Sequence, residues 1–353
     1  MASKNSDTVY TIQAFRGVAA ILVVLFHATQ LIETYFKISP LGGLFMFGFS
    51  GVHLFFVLSG FIIFMVHFKD IDKPRRYFRY LKKRFIRIYP IYWITLAMIS
   101  SWLLVNHLIT IENVYQNIAL LMPPPSFINP VCWTLSFEVF FYIIFSFLIL
   151  NRILGTIILL CWMVGVILTN FFGVEIYFII HYAFHKYTVL FMIGGAVSYI
   201  AMYLKKLAPY MRNKLGYSSF ICGIIIFSLT AFYCSLYKII NWDLWIITLG
   251  FGLAGGMLML SSLSDNIERF FGSQKSLAYF GNASYSIYLL HYPFLTVVIP
   301  FLKIYFPING QISITIFFLS ASVLTVLAGW LLYWNVERPV LKLMRNHILA
   351  KRI

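Results

Sequence analysis

Arg16 and His27 stand eleven residues apart inside an otherwise apolar segment, TIQAFRGVAAILVVLFHATQLI, at 11–32. At about 100° per residue that interval leaves them roughly 20° apart around a helix and roughly 16 Å apart along it, so they share one face. Gln13, Ala20, Val24 and Gln30 fall near the same stripe, and the opposite face is Val, Ile, Leu and Phe. An imidazole there can move a proton near neutral pH or act as a nucleophile, and a guanidinium can hold an anion. Ionisable groups at membrane depth are costly and mark functional positions by default. The alternative is a snorkelling arginine and a histidine hydrogen-bonded to a neighbouring helix.

Other polar residues stand out against the same background. The segment KDIDKPRRYFRYLKKRFIR at 69–87 carries nine cations and reads as a loop before a third helix. Within it Arg84 and Arg87, at i and i+3, face the same way and suit a phosphorylated ligand arriving from the cytoplasm. The same run could simply hold topology and attract anionic lipid headgroups. Ser59-Gly60 permits close helix approach or a local break in the backbone. Pro123-Pro124-Pro125 and Pro130 stiffen an outer loop that leads into Trp133-Thr134-Leu135-Ser136-Phe137-Glu138 and places a carboxylate in the first turns of a fourth helix. Glu138 could serve only the helix dipole, but that effect fades within the first turn. Gly281 to His291, GNASYSIYLLH, sets a second histidine near the middle of a ninth helix, with Tyr288 one turn before it.

The elements that must position these groups follow from composition. The 353 residues are 61% hydrophobic, 19% aromatic and only 11% charged, which fits a polytopic membrane protein and no soluble globular domain. A window of about 20 apolar residues places ten spanning helices near 12–34, 44–68, 88–106, 133–150, 153–172, 187–204, 217–237, 244–263, 279–302 and 313–334. The net charge of +16 is a topology signal rather than a nucleic-acid one. With the N-terminus inside, all Lys and Arg except Lys37, Lys186, Lys238 and Lys303 fall on one face, so both termini are expected to be cytoplasmic. His27-Ala28-Thr29 makes a poor cleavage site, so the first helix is expected to stay. Cys132, Cys161, Cys222 and Cys234 form no metal-ligand spacing and read as packing residues. Without repeats or a long soluble stretch, residues 1–353 read as a single transmembrane domain.

Taken together, these segments resemble the membrane-bound acyltransferase family 3, which includes bacterial O-antigen and exopolysaccharide O-acetyltransferases. The resemblance rests on Arg16 and His27 with ten residues between them, FFVLSGFII at 55–63, Arg84-Phe85-Ile86-Arg87 followed by Tyr89-Pro90, Trp133 to Glu138, the run ending at His291, and Glu337-Arg338-Pro339. It spans almost the whole chain in the same order. It implies an all-α bundle of about ten helices that takes an acetyl group from cytoplasmic acetyl-CoA across the inner membrane. The expected acceptor is a hydroxyl of a cell-surface polysaccharide or its lipid-linked repeat unit.

Acyl transfer from a thioester to an alcohol needs a base for the hydroxyl proton and a donor for the developing oxyanion. His27 suits the base, or a transient acyl carrier; the sequence leaves both open. Arg16 is placed to orient acetyl-CoA, Arg84 and Arg87 to hold its phosphates, and Ser59 and Gly60 to let the thioester approach. Glu138 is expected at the reaction centre, with Trp133, Tyr288 and His291 lining the acceptor path. Membrane lipids surround the bundle, and neither metal nor nucleic acid is expected. A transporter or flippase for an anionic lipid-linked sugar would also want a basic vestibule, although no internal repeat is visible. An acyltransferase acting on a lipid or small molecule would use the same residues.

Overall fold

A computed structural model of the protein describes residues 9–120, 126–172, 182–237, 244–306 and 310–346; Pro123, Pro124 and Pro125 lie outside them. Among the described residues every regular element is helical: α1 (Tyr10–Phe36), α2 (Ser50–His67), α3 (Tyr77–Val105), the short α4 (Ile111–Gln116), α5 (Trp133–Leu150), α6 (Arg152–Phe171), α7 (Thr188–Leu204), α8 (Pro209–Leu236), α9 (Trp245–Leu260), α10 (Asp265–Ser273), α11 (Lys275–Tyr305), α12 (Gln311–Leu332) and α13 (Arg338–Met344). Among the described residues nine helical stretches are long and apolar enough to cross a membrane, and α7 is a further apolar helix of 17 residues.

Three boundaries differ from expectation for local reasons. The expected loop 69–87 is not a loop throughout. Pro74 opens a single tight turn and α3 then runs unbroken from Tyr77, because Arg, Lys and Leu are good helix formers and no Gly interrupts them. Pro90 sits inside α3 without ending it. Pro209 at the first position starts α8 eight residues before the expected 217. Ahead of α2, residues Pro40–Phe49 form tight 3₁₀ turns in which Leu41, Gly42 and Gly43 adopt left-handed backbone, with φ of 52°, 64° and 81°. The span expected from 44 therefore becomes α-helical only at Ser50.

The chain folds into two compact units. The first comprises Met1–Val23, Met46–Val66 and Leu190–Ser284. In it α8 lies along α9, and α2 meets α7 where Gly60 faces the Phe191 carbonyl and Gly194 the Val57 carbonyl, so closely that a Cβ on either would strike backbone. Small residues are what let membrane helices approach in this way, where packing replaces the hydrophobic drive available in water. Gly281 stands likewise against the Gln13 carbonyl. Gly281→Leu is expected to cost about 1–3 kcal/mol through overpacking. It would be read as a lower midpoint of thermal denaturation in detergent, and an unchanged midpoint would mean that this contact is loose. Glu268 of α10 accepts the Tyr10 and Thr11 backbone amides at 2.9 and 3.3 Å. Burial pushes its carboxyl above the usual range, although those amides pull the other way.

The second unit comprises Val24–Phe45, His67–Val189 and Tyr285–Ile353. Its apolar core joins Ala28 and Ile32 of α1 to Leu295 and Ile299 of α11 and to Phe317 and Phe318 of α12. Asn151 caps α6 by accepting the Leu154 amide at 3.0 Å, and α5 packs on both α3 and α6. Two tyrosines tie α3 to its neighbours. Tyr80 donates to the Tyr142 carbonyl of α5 at 3.2 Å, and Tyr285 of α11 donates to the Ile88 carbonyl of α3 at 2.8 Å. After α12 the backbone widens into a π turn, Tyr333–Glu337, before α13. Such turns often occur at functional sites.

Candidate active site

The second unit gathers most of the expected residues into two polar clusters. The first forms where α1 meets α11. The His27 and His291 rings lie 5.2 Å apart, and Tyr292 stands edge-on to His27 at 5.2 Å. His291 is fully buried. Its Nδ1 lies 2.5 Å from the Tyr288 carbonyl; a carbonyl only accepts, so Nδ1 carries the hydrogen, and in the neutral ring Nε2 holds a lone pair. That Nε2, like Nδ1 of His27, is buried without a hydrogen-bond partner among the described residues. Gln30, one turn beyond His27, hydrogen-bonds its ring, which leaves Nδ1 as the open nitrogen.

Proline explains how the loop before α5 reaches this place. Pro293 inside α11 has no amide hydrogen, so the carbonyl of Leu289 loses its helical partner. Asn129 supplies one, donating from Nδ2 at 2.8 Å. Alongside it, Tyr288 donates to the Val131 carbonyl at 3.0 Å and lies 2.7 Å from the Thr134 hydroxyl. Trp133 opens α5 with its ring 5.7 Å from both Phe137 and Tyr187, beside Tyr288's anchor and one turn from Ser136.

The second cluster joins α3, α5, α11 and the π turn. Arg87 donates to Oε1 of Glu337 at 2.8 Å, and Ser286 donates to Oε2 at 2.6 Å, so this fully buried carboxylate has a partner on each oxygen. The guanidinium of Arg87 also lies over the Tyr285 ring at 5.2 Å. Glu138 accepts the Tyr142 hydroxyl and lies within electrostatic reach of Arg87 and Tyr285. Arg84 lies over the Tyr80 and Tyr142 rings at 5.7 and 5.5 Å, and its Nη2 is 2.8 Å from Nε2 of His67. A guanidinium only donates, so Nε2 of His67 accepts and its Nδ1 donates to Asp70 at 2.8 Å. Asp70 also pairs with Arg76.

The remaining expected residues lie in the first unit. Arg16 is half-buried and donates to Gln13 at 3.3 Å. Gly60 is occupied by backbone packing against α7, the close approach that its sequence context allows, and Ser59 precedes it on α2. Among the cluster residues that the sequence did not single out as site residues are Asn129, His67 and Glu337. For His67 a signal existed, since Asp70 follows at i+3. For Glu337 only the Glu337-Arg338-Pro339 string pointed there, and its partner is 250 positions away.

Each part of this arrangement can serve acyl transfer. Buried neutral imidazoles with open nitrogens can accept protons or an acyl group. Arginines fixed by their neighbours can receive phosphate: each guanidinium has five N–H donors and uses one in the hydrogen bonds described for Arg84 and Arg87. Comparison with known proteins points the same way. Over 133 residues, 35% of this chain and 38% of the relative, it is 30% identical to the exopolysaccharide production protein ExoZ of Rhizobium meliloti (strain 1021). Over 125 residues, 35% of this chain and 61% of the relative, it is 26% identical to protein 2 in the picA locus of Rhizobium radiobacter. The match thus spans less than two thirds of either relative's length. No solved structure matches the chain. The acyltransferase 3 family, described as an acyltransferase domain, matches residues 9–334, which include His27, His291, Arg84 and Arg87; the chain belongs to that family.

Proposed function

We propose that the protein is an O-acetyltransferase of the bacterial inner membrane with both termini in the cytoplasm. It takes an acetyl group from cytoplasmic acetyl-CoA and delivers it to a hydroxyl of a surface polysaccharide or of its lipid-linked repeat unit. The observation that carries this reading is the His27–His291 pair, whose open nitrogens are buried within a chain of the acyltransferase family. Arg84 and Arg87 bind the phosphates of the donor. Glu138 holds Tyr142 beside Arg87, and Trp133 and Tyr288 shape the path of the acceptor. The name of the Rhizobium meliloti relative supports a glycan acceptor.

The test is compositional. Surface glycan and lipid fractions from a strain with and without the gene are compared by mass spectrometry after feeding labelled acetate. Loss of O-acetyl groups from the glycan alone is the expected result. Loss from a lipid or small molecule would move the acceptor, and a glycan that disappears from the surface with its acetylation intact would indicate a transporter.

A further inference from the structure

Direct transfer from thioester to alcohol requires one base, yet this site holds two imidazoles, each with one buried nitrogen that no group among the described residues satisfies. Buried polar atoms are normally paired, so an open one requires an explanation in a catalytic role, a water or a ligand. A third such atom accompanies them. Asn129 is 4% exposed; its Nδ2 is committed to the Leu289 carbonyl, and its Oδ1 has no partner among the described residues. Leu289 lies on α11 between Tyr288, whose carbonyl holds Nδ1 of His291, and His291 itself. Oδ1 of Asn129 and Nε2 of His291 are both acceptors, fixed as such because their donor atoms are pinned to adjacent carbonyls of one helix turn. Two fixed acceptors suit a ligand that brings O–H donors, as neighbouring hydroxyls of a sugar do.

Resting on the function proposed above, we propose that Asn129 and His291 form the subsite of the acceptor hydroxyl, with His291 as its base, and that His27 carries the acetyl group between two half-reactions. In the first, Nδ1 of His27 attacks the thioester carbonyl carbon. The C–N bond forms, the C–S bond breaks, and the proton on Nε2 of His27 goes to the departing thiolate, leaving neutral acetyl-imidazole and coenzyme A thiol. In the second, the acceptor oxygen attacks the acetyl carbon as the C–N bond breaks. The hydroxyl proton passes to Nε2 of His291 and then to His27, which restores both neutral rings. The 5.2 Å between the rings brings the acetyl group and the hydroxyl within reach of each other. No metal or redox partner enters the balance.

His291→Asn separates the role of the base from that of a structural residue, because the amide nitrogen of Asn can still donate to the Tyr288 carbonyl while the acceptor at Nε2 is lost. The reconstituted full-length protein is given [14C]acetyl-CoA and, on the opposite side of the membrane, unacetylated glycan extracted from a strain lacking the gene. Wild type is expected to transfer label to glycan. His291→Asn is expected to release about one equivalent of coenzyme A thiol, to retain acetyl on His27 by peptide mass spectrometry, and to transfer at least 100-fold more slowly. Transfer within threefold of wild type, or loss of thiol release together with transfer, would overturn the inference; a wild type that transfers nothing would overturn the function proposed above. Should the variant not fold, wild type is treated with diethyl pyrocarbonate. Protection of His291 by glycan but not by acetyl-CoA supports the subsite. Modification of His291 that glycan does not change, or no modification in any state, overturns it.

Discussion

His27→Ala is expected to insert into the membrane at the wild-type level and to lose acetylation by at least about 10²-fold, the scale set by removal of a positioned proton-transfer group. Removal of a nucleophile cuts deeper, so the larger the loss, the stronger the case for a carrier. The helix itself has little to lose. Alanine is the best helix former, His27 is only partly buried, and the neighbouring Ala28 and Ile32 carry the packing with α11 and α12. Immunoblotting of membranes and radiolabel in isolated glycan are the two readings. Retained acetylation would remove His27 from the chemistry.

Arg87→Met is expected to have the largest effect on stability. It leaves the Glu337 carboxylate with Ser286 as its only remaining hydrogen-bond donor among the described residues, in a position with no exposure. Breaking one side of a buried ion pair typically costs about 3–5 kcal/mol, whereas replacing both partners by apolar residues is often neutral. The double variant Arg87→Met with Glu337→Leu should therefore regain most of the lost thermal stability in detergent. It should not regain affinity for acetyl-CoA, measured by calorimetry, since the guanidinium is gone. A single variant as stable as wild type would mean that water reaches Glu337. Recovery of both properties by the double variant would return the basic run to a role in topology and lipid attraction.

The helical bundle was legible because a bilayer permits few solutions: apolar runs of sufficient length must be helices. The segment expected at 133–150 coincides with α5, and that at 313–334 is offset from α12 by two residues at each end. The basic run has the charge of a loop but the propensity of a helix, for nothing in Tyr77 to Arg87 breaks one. Placement of His27 and His291 in one site was accessible, since each is an ionisable group within an apolar span. Asn129 was not. Its importance depends on a carbonyl orphaned by Pro293, and no local pattern states which distant side chain will answer a missing amide. Glu337 was hidden for a related reason: the π turn that carries it changes the angular bookkeeping on which face assignments rest.

A helix that lacks one rung of its ladder yields there more readily than elsewhere, and in α11 that rung is replaced from outside the helix by Asn129. The loop ahead of α5 is thus latched to one of the two points, at Pro293 and Pro300, where the helix that bears His291 lacks an amide hydrogen. Without Asn129 the Leu289 carbonyl would stand unpaired, so the loop contributes a hydrogen bond that the helix cannot make for itself two residues before His291.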